Sequence, residues 1–297
     1  MSATLQKDFA AASDLTQSAA PKSLRMPWDI KLAATVLALA VMTALFASVI
    51  APHGYATQNL AVRLQPPVFL GGSWQYPLGV DNLGRDVLSR LIYGMRTSIL
   101  IAFGATLIGA AIGITLGLLA ARFRGWIEDA VLLLVDVQAA LPSVILALAA
   151  LAFFGNNLWL FILLVGLEGW ERYARLTRGL AIAAREAGYV QALEGLGASS
   201  SRIYLRHIMP NIASALIVQA TLNFPGTVLL ETSLSFLGLG VQPPMTSLGL
   251  MLGQGRLYLL NAWWIAVFPG LTIFAVTLSM SIFGDWLRDR FDPALRG

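Results

Sequence analysis

Residues 32–50 read LAATVLALAVMTALFASVI, nineteen consecutive positions without a charge. A helix of that length runs about 28 Å, close to the ~30 Å hydrocarbon thickness of a bilayer. It is apolar on every side, so no single face of it is set aside for water. A lipid-exposed backbone must satisfy its own hydrogen bonds, which leaves a helix as the form this run takes. It exceeds the roughly 7–15 apolar residues of a secretory signal and stays in the membrane. The whole chain agrees: of 297 residues, 57% are hydrophobic and 12% charged, against about 25% charged in soluble domains. The chain reads as an all-α integral membrane protein.

Five further apolar runs follow, at 98–121, 127–154, 158–173, 212–237 and 263–283, giving six expected transmembrane helices within a membrane domain of 28–295. Residues 1–27 are polar and rich in Ala and Ser, and read as a mobile tail. An even number of spans puts both termini on one side, and basic residues choose it. With the termini inside, fifteen Lys and Arg are cytoplasmic and five lie outside, so both termini read as cytoplasmic. That distribution accounts for the net charge of +4 without nucleic acid.

Two outer segments look structured. In 81–96, Leu83, Val87, Leu88, Leu91 and Ile92 share a helical face, with Asp86 and Arg90 paired at i,i+4 on the other. This reads as an interfacial helix ahead of the second span. Segment 241–262, with Pro243, Pro244 and several glycines, reads as an interfacial or partly re-entrant hairpin. Within the second span, Ala105, Gly109, Gly113 and Gly117 make a stripe of small residues on which helices approach closely, most simply inside one subunit. Pro142, Pro225 and Pro269 mark expected kinks.

Catalytic chemistry finds no foothold. There is no cysteine, and His53 and His207 belong to no metal-ligand spacing. The three lysines, Lys7, Lys22 and Lys31, are not in a phosphate-binding loop, and neither H-E-x-x-H nor G-x-S-x-G occurs. The intramembrane carboxylates are Asp136, Glu168 and Glu231. Such groups either hydrogen-bond across the bundle or face a water-filled path. Asp136 and Glu231 are the candidates for a translocation path.

The cytoplasmic loop 171–211 is too long for a turn. Residues 186–196 (EAGYVQALEGL) read as a helix with Tyr189, Val190, Leu193 and Leu196 on one face and Glu186, Gln191 and Glu194 polar. Gly197 stops it, since glycine readily takes the left-handed conformation at a helix end. A second short helix starts from a serine cap, Ser199 or Ser200, with Arg202 and Arg206 one turn apart. Pro210 then stands where the next span begins. An exposed helix with one apolar face implies a partner surface.

This loop resembles the cytoplasmic EAA loop of ABC-importer permeases, whose pattern is E-A-A, three residues, Gly, then nine residues to I-x-L-P. The pattern falls on Gln191-Ala192-Leu193, Gly197 and His207-Ile208-Met209-Pro210, with Ala192, Gly197 and Pro210 matching. PLGVDNLGRDVLSRLIYGMRTS (77–98), LVDVQAALPS (134–143), RYARLTRG (172–179) and SLSFLGLGVQPP (233–244) are similar to the C-type permease of dipeptide, oligopeptide and nickel importers. The resemblance implies the type I ABC importer permease fold in a bacterial inner membrane. It implies a heterodimer with a second, homologous permease, two cytoplasmic ATPases that carry ATP and Mg2+, and an extracytoplasmic solute-binding protein, with no cofactor on this chain. Glu186, Tyr189, Gln191, Ala192, Leu193, Glu194, Gly197, Ser199, Arg202 and Pro210 are then the expected ATPase-coupling residues. Di- or oligopeptides are the expected cargo, with nickel chelates or another small solute as alternatives. An ion-coupled carrier acting alone is the competing class.

Overall fold

A computed structural model describes residues 26–155 and 157–291. The expected tail therefore lies, up to residue 25, outside the described residues, as do 292–295 of the expected membrane domain. Among the described residues, ten helices of eight residues or more organise the fold. They are α1 (Trp28–Leu45), α2 (Val87–Arg122), α3 (Trp126–Ala140), α4 (Ser143–Phe154), α5 (Leu158–Gly166), α6 (Trp170–Arg185), α7 (Gly188–Gly195), α8 (Met209–Phe236), α9 (Leu248–Gly255) and α10 (Trp264–Phe291). A turn at Ser200–Arg202 and a π-helical stretch at Ile203–Ile208 lead without a break into α8. Among the described residues the β content is one isolated bridge, Val80 to Asp86. Helices α1, α2, the Ser200–Phe236 run and α10 are each long and apolar enough to cross a membrane. The α3–α4 pair, bent by 90°, is a fifth candidate if it counts as one span.

Several elements depart from the sequence-based expectation, each for a local reason. Helix α2 starts at Val87, so 81–96 is not a separate interfacial helix. Asp86 caps α2, its carboxylate accepting from the backbone N–H of Leu88 (3.3 Å) and Ser89 (3.0 Å). No breaker follows until Phe123. Asp86 therefore does not pair with Arg90; its side-chain partners are Ser89 Oγ (2.6 Å) and His53 Nδ1 (3.3 Å), and Arg90 turns to Asp81. The expected span 127–154 does bend at Pro142, as expected, but by a full 90° and with a break in the helix at Leu141, which is extended because the residue before a proline is pushed out of the helical region. The expected helix 158–173 breaks at Gly169, whose φ of +84° ends the α5 geometry before α6 begins. By contrast, α8 and α10 run through Pro225 and Pro269, and α10 continues to Phe291. Segment 241–262 contains α9, whose Gly249, Gly253 and Gly255 lie against backbone atoms of Thr232, Phe236 and Ala266.

The bundle closes around the small-residue stripe of α2. Ala105, Gly109, Gly113 and Gly117 are all buried and face α5 and α6. A Cβ on Gly109 would stand 2.7 Å from the carbonyl oxygen of Gly166, and one on Gly117 2.6 Å from that of Ala174. At Gly113 it would strike the carbonyl oxygen of Trp170. The stripe thus packs within the subunit, backbone against backbone.

At the head of α2 a buried ionic knot ties three segments. Asp81 accepts from Arg85 Nε (2.7 Å) and from Arg90, while Arg90 Nη2 also donates to Gln254 Oε1 of α9 (2.8 Å). Arg90 is 1% exposed and Asp81 fully buried.

Two outcomes follow. Gly113→Val forces α2 from α6 and costs about 3 kcal/mol, the upper end of overpacking, whereas Gly179→Ala, with nothing within 4 Å of its Cβ, leaves the melting temperature in detergent unchanged or higher. Asp81→Ala strands Arg90 and costs about 3–5 kcal/mol. A further Arg90→Met in the same chain recovers part of that loss in the same melt.

Candidate functional site

Helix α7 is closed by a Schellman motif. The N–H of Gly197 donates to Glu194 O (3.0 Å) and that of Ala198 to Leu193 O (3.1 Å). Gly197 takes φ +77°, and no atom lies within 4 Å of where its Cβ would be. The glycine is therefore required by the backbone, not by crowding. Val190 is 0% exposed and packs with Leu193 onto Ile203, Tyr204 and Ile208. The expected apolar face is thus divided. Val190 and, in part, Leu193 hold α7 to the bundle, while Tyr189, Gln191, Ala192, Glu194, Gly197, Ser199 and Arg202 remain exposed. Leu196, absent from the expected coupling residues, is 83% exposed. Its signal was its place beside the helix stop, where the chain turns outward. With Leu193, Gly197, Ala198, Arg202, Arg206 and His207 it lines a shallow concavity of about 470 Å3.

The flanks of the loop differ from expectation. Glu186 is the C-cap of α6, outside α7, and its carbonyl accepts from Gln191 Nε2 (3.3 Å). Ser199 occupies the N-cap position with no side-chain capping bond. A helix does start at Ser200 and Pro210 does stand in the first turn of α8, as expected, but no break separates the two. Because Pro210 cannot donate to Arg206 O, the chain widens into the π-helical stretch, and Met209 N–H bonds Tyr204 O five residues back. Helix thus continues from Ser200 to Phe236, 37 residues. Three contacts clamp this unit. Tyr204 Oη donates to Ala121 O at the end of α2 (2.9 Å), Arg122 donates to Ser201 Oγ (3.1 Å), and Arg185 Nε donates to Glu194 Oε1 (3.1 Å).

Asp136 and Glu231, read together from the sequence, are not brought together. Asp136 has a side chain 70% exposed and pairs with Arg175 at 2.8 Å. It belongs to a seam in which Arg172, Arg175 and Arg178 of α6 meet Glu171, Asp136 and Glu128 respectively. The three-residue spacing of those arginines was the available signal for the seam. Glu231 is 0% exposed. Its carboxyl accepts from Ser98 Oγ (3.0 Å) and Ser235 Oγ (2.8 Å). Those hydroxyls in turn accept from the backbone N–H of Leu248 (3.1 Å) and Val241 (3.3 Å). Glu231 therefore joins α2, α8 and the start of α9 across the bundle.

Residues 113–297 match the family model described as "Binding-protein-dependent transport system inner membrane component". The chain is 41% identical to the di/tripeptide transport system permease protein DppC of Pseudomonas aeruginosa, over 87% of this chain and 86% of that one. It is 37% identical to the glutathione transport system permease protein GsiD of Pectobacterium atrosepticum, over 76% and 75% respectively. A solved structure of the MetNI methionine ABC transporter in an inward-facing conformation superposes with a TM-score of 0.52 at 20% identity, covering 68% of this chain and 96% of that chain, a likeness of fold. The α2 stripe, the α6–α7 loop and the long α8 accordingly sit in a chain that belongs to the family of binding-protein-dependent transport system inner membrane components.

Proposed function

We propose that this chain is one permease of an ATP-driven peptide importer, and that α7 is the element through which ATP hydrolysis on partner subunits reaches the membrane. The observation that carries this reading is the division of α7 into an inner face clamped to α2, α6 and α8 and an outer face left open. A rigid amphipathic helix of that kind transmits a push, because Val190, Tyr204 and the Arg122–Ser201 contact convert its displacement into movement of α2 and α8. Two cytoplasmic ATPases holding ATP and Mg2+ supply the push, one on α7 and one on the matching element of a second, homologous permease. A solute-binding protein delivers cargo on the opposite side. Helices α1, α2, α3–α4, α5 with the start of α6, α8 and α10 make six passes through membrane lipid, with both termini cytoplasmic. The positive-inside distribution of Lys and Arg supports that orientation. Peptide cargo is supported by relatives named for di/tripeptide and glutathione transport.

The docking surface comprises Tyr189, Gln191, Ala192, Glu194, Leu196 and Gly197, flanked by Glu186, Ser199 and Arg202, with Leu193 and Pro210 shaping it from behind. Small Ala192 permits close approach, and Leu196 is the apolar anchor. The glutamate usual at the Gln191 position is replaced by an uncharged amide, so the contact rests on shape more than on charge.

In proteoliposomes holding both permeases and both ATPases, Gly197→Val strains a left-handed position by about 1–2 kcal/mol and distorts the Schellman turn. ATP-driven uptake falls at least about tenfold, while the melting temperature of the assembled permease pair falls by only about a few degrees. Normal uptake by this variant defeats the coupling assignment. Leu196→Asp weakens retention of the ATPase on the immobilised permease pair by an amount typical of an interface hot spot, about 2 kcal/mol or more.

A further inference from the structure

The concavity at the end of α7 is lined on one side by Leu193, Leu196 and Gly197 and on the other by Arg202, Arg206 and His207. Its volume of about 470 Å3 equals roughly fifteen waters at ~30 Å3 each, room for more than one side chain.

These three basic groups stand apart from most others in the chain. Arg85, Arg90, Arg172, Arg175, Arg178 and Arg185 each meet a carboxylate. Arg202, Arg206 and His207 have no side-chain hydrogen bond or ion pair among the described residues, and Arg202 and Arg206 are exposed one turn apart. No carboxylate lines the concavity. The nearest in sequence, Glu194 of α7, is turned to Arg185 (3.1 Å). Position 191, where the permease pattern has glutamate, holds an amide. Like charges one turn apart oppose each other. An anion set between them removes that repulsion and gains charge-assisted hydrogen bonds.

A lipid headgroup is badly placed to be that anion. Helix runs unbroken from Ser200 to Phe236, 37 residues, or about 55 Å, whereas a bilayer with its headgroups spans about 40–45 Å. The surplus lies at the start of the run, because the apolar stretch begins only at Ile212. Arg206 stands six residues before Ile212 and Arg202 ten. Those separations are about 9 and 15 Å along a helix, past a headgroup layer of about 5–7 Å. The concavity also shares Leu196 and Gly197 with the outer face of α7, so it continues the surface on which the ATPase is proposed to act.

Resting on that coupling reading, we propose that the concavity receives an acidic side chain of the partner ATPase. Its carboxylate is held by Arg202 and Arg206, with a ring nitrogen of His207 as a third donor. Its aliphatic stem lies against Leu193 and Leu196. On α7 itself the contact rests on shape, and its charge comes from the root of the α8 run. An acid seated there touches α7 and that root together. A push from the ATPase then enters the long helix directly as well as through Val190 and Tyr204.

The test measures retention of the ATPase subunits on the immobilised permease pair, held in nanodiscs of phosphatidylcholine alone. Wild-type affinity falls about tenfold between about 0.1 and 1 M salt, as the Debye length shrinks from about 10 to 3 Å. Arg202→Gln combined with Arg206→Gln weakens retention about tenfold at the lower salt and flattens that dependence. Arg124→Gln, which removes an exposed charge outside the concavity, changes neither. Arg206→Lys places an amine at the site in a chain whose three lysines all lie at position 31 or earlier. A water-soluble carbodiimide condenses that amine with a carboxylate held against it, and mass spectrometry finds an ATPase Asp or Glu on the cross-linked peptide. Unchanged salt dependence in the double Gln variant overturns the acid contact and leaves α7 docking intact. So does a cross-link that never reaches an ATPase carboxylate. An effect of the double variant seen only in nanodiscs that contain phosphatidylglycerol assigns the cations to lipid and likewise overturns it. A wild-type pair that retains no ATPase overturns the coupling reading beneath it.

Discussion

The structure depends first on how closely α2 lies on α5 and α6. Glycines at 109, 113 and 117 let backbone meet backbone, and the carbonyl oxygens of Gly166, Trp170 and Ala174 occupy the space that side chains would otherwise fill. In lipid no hydrophobic force draws helices together, so such contact supplies dispersion and packing instead. The consequence reaches beyond stability. Because α6 rides on this stripe, the α5–α6 break, the arginine seam and α7 are all positioned from α2.

Polar groups complete what the glycines begin. Glu231 gathers Ser98 and Ser235, and through them backbone N–H groups of Leu248 and Val241. Asp81 gathers Arg85 and Arg90, and through them Gln254. Each knot joins α2 to the α9 region. Ion pairs and carboxyls buried this way do not add much net stability, but removing one partner exposes the desolvation cost of the other. They act as registers for helices that would otherwise slide. At the opposite end Tyr204 and Arg122 perform the same service for the α7 loop. A proposed push on α7 therefore meets a body without slack.

Much of this was legible in the chain. Uncharged runs of about 20 residues reveal helices that cross lipid, because hydrocarbon allows few alternatives. The Gly197 stop was legible because its requirement is local, and the Ala105–Gly117 stripe because its period is that of a helix. Other features were hidden. Asp86 and Arg90 looked like an i,i+4 pair, yet each found a stronger partner elsewhere in space, the helix start for one and Asp81 for the other. The 37-residue run from Ser200 to Phe236 was hidden by Pro210, since a proline reads as a boundary and the π-helical widening that absorbs it leaves no sequence mark.

What the sequence alone determined is the class of the molecule. Its hydrophobic periodicity and charge distribution are summed over many residues, so no single contact can reverse them. Its motifs of small residues and turn glycines are likewise answered within one helix or one turn. Tertiary structure alone decided which side of α7 is free, that Val190 points inward while Leu196 stands out, and that Glu231 is sealed while Asp136 is open. Those outcomes depend on which helix lies opposite. That choice is made by contacts between residues far apart in the chain, and no local pattern of residues encodes it.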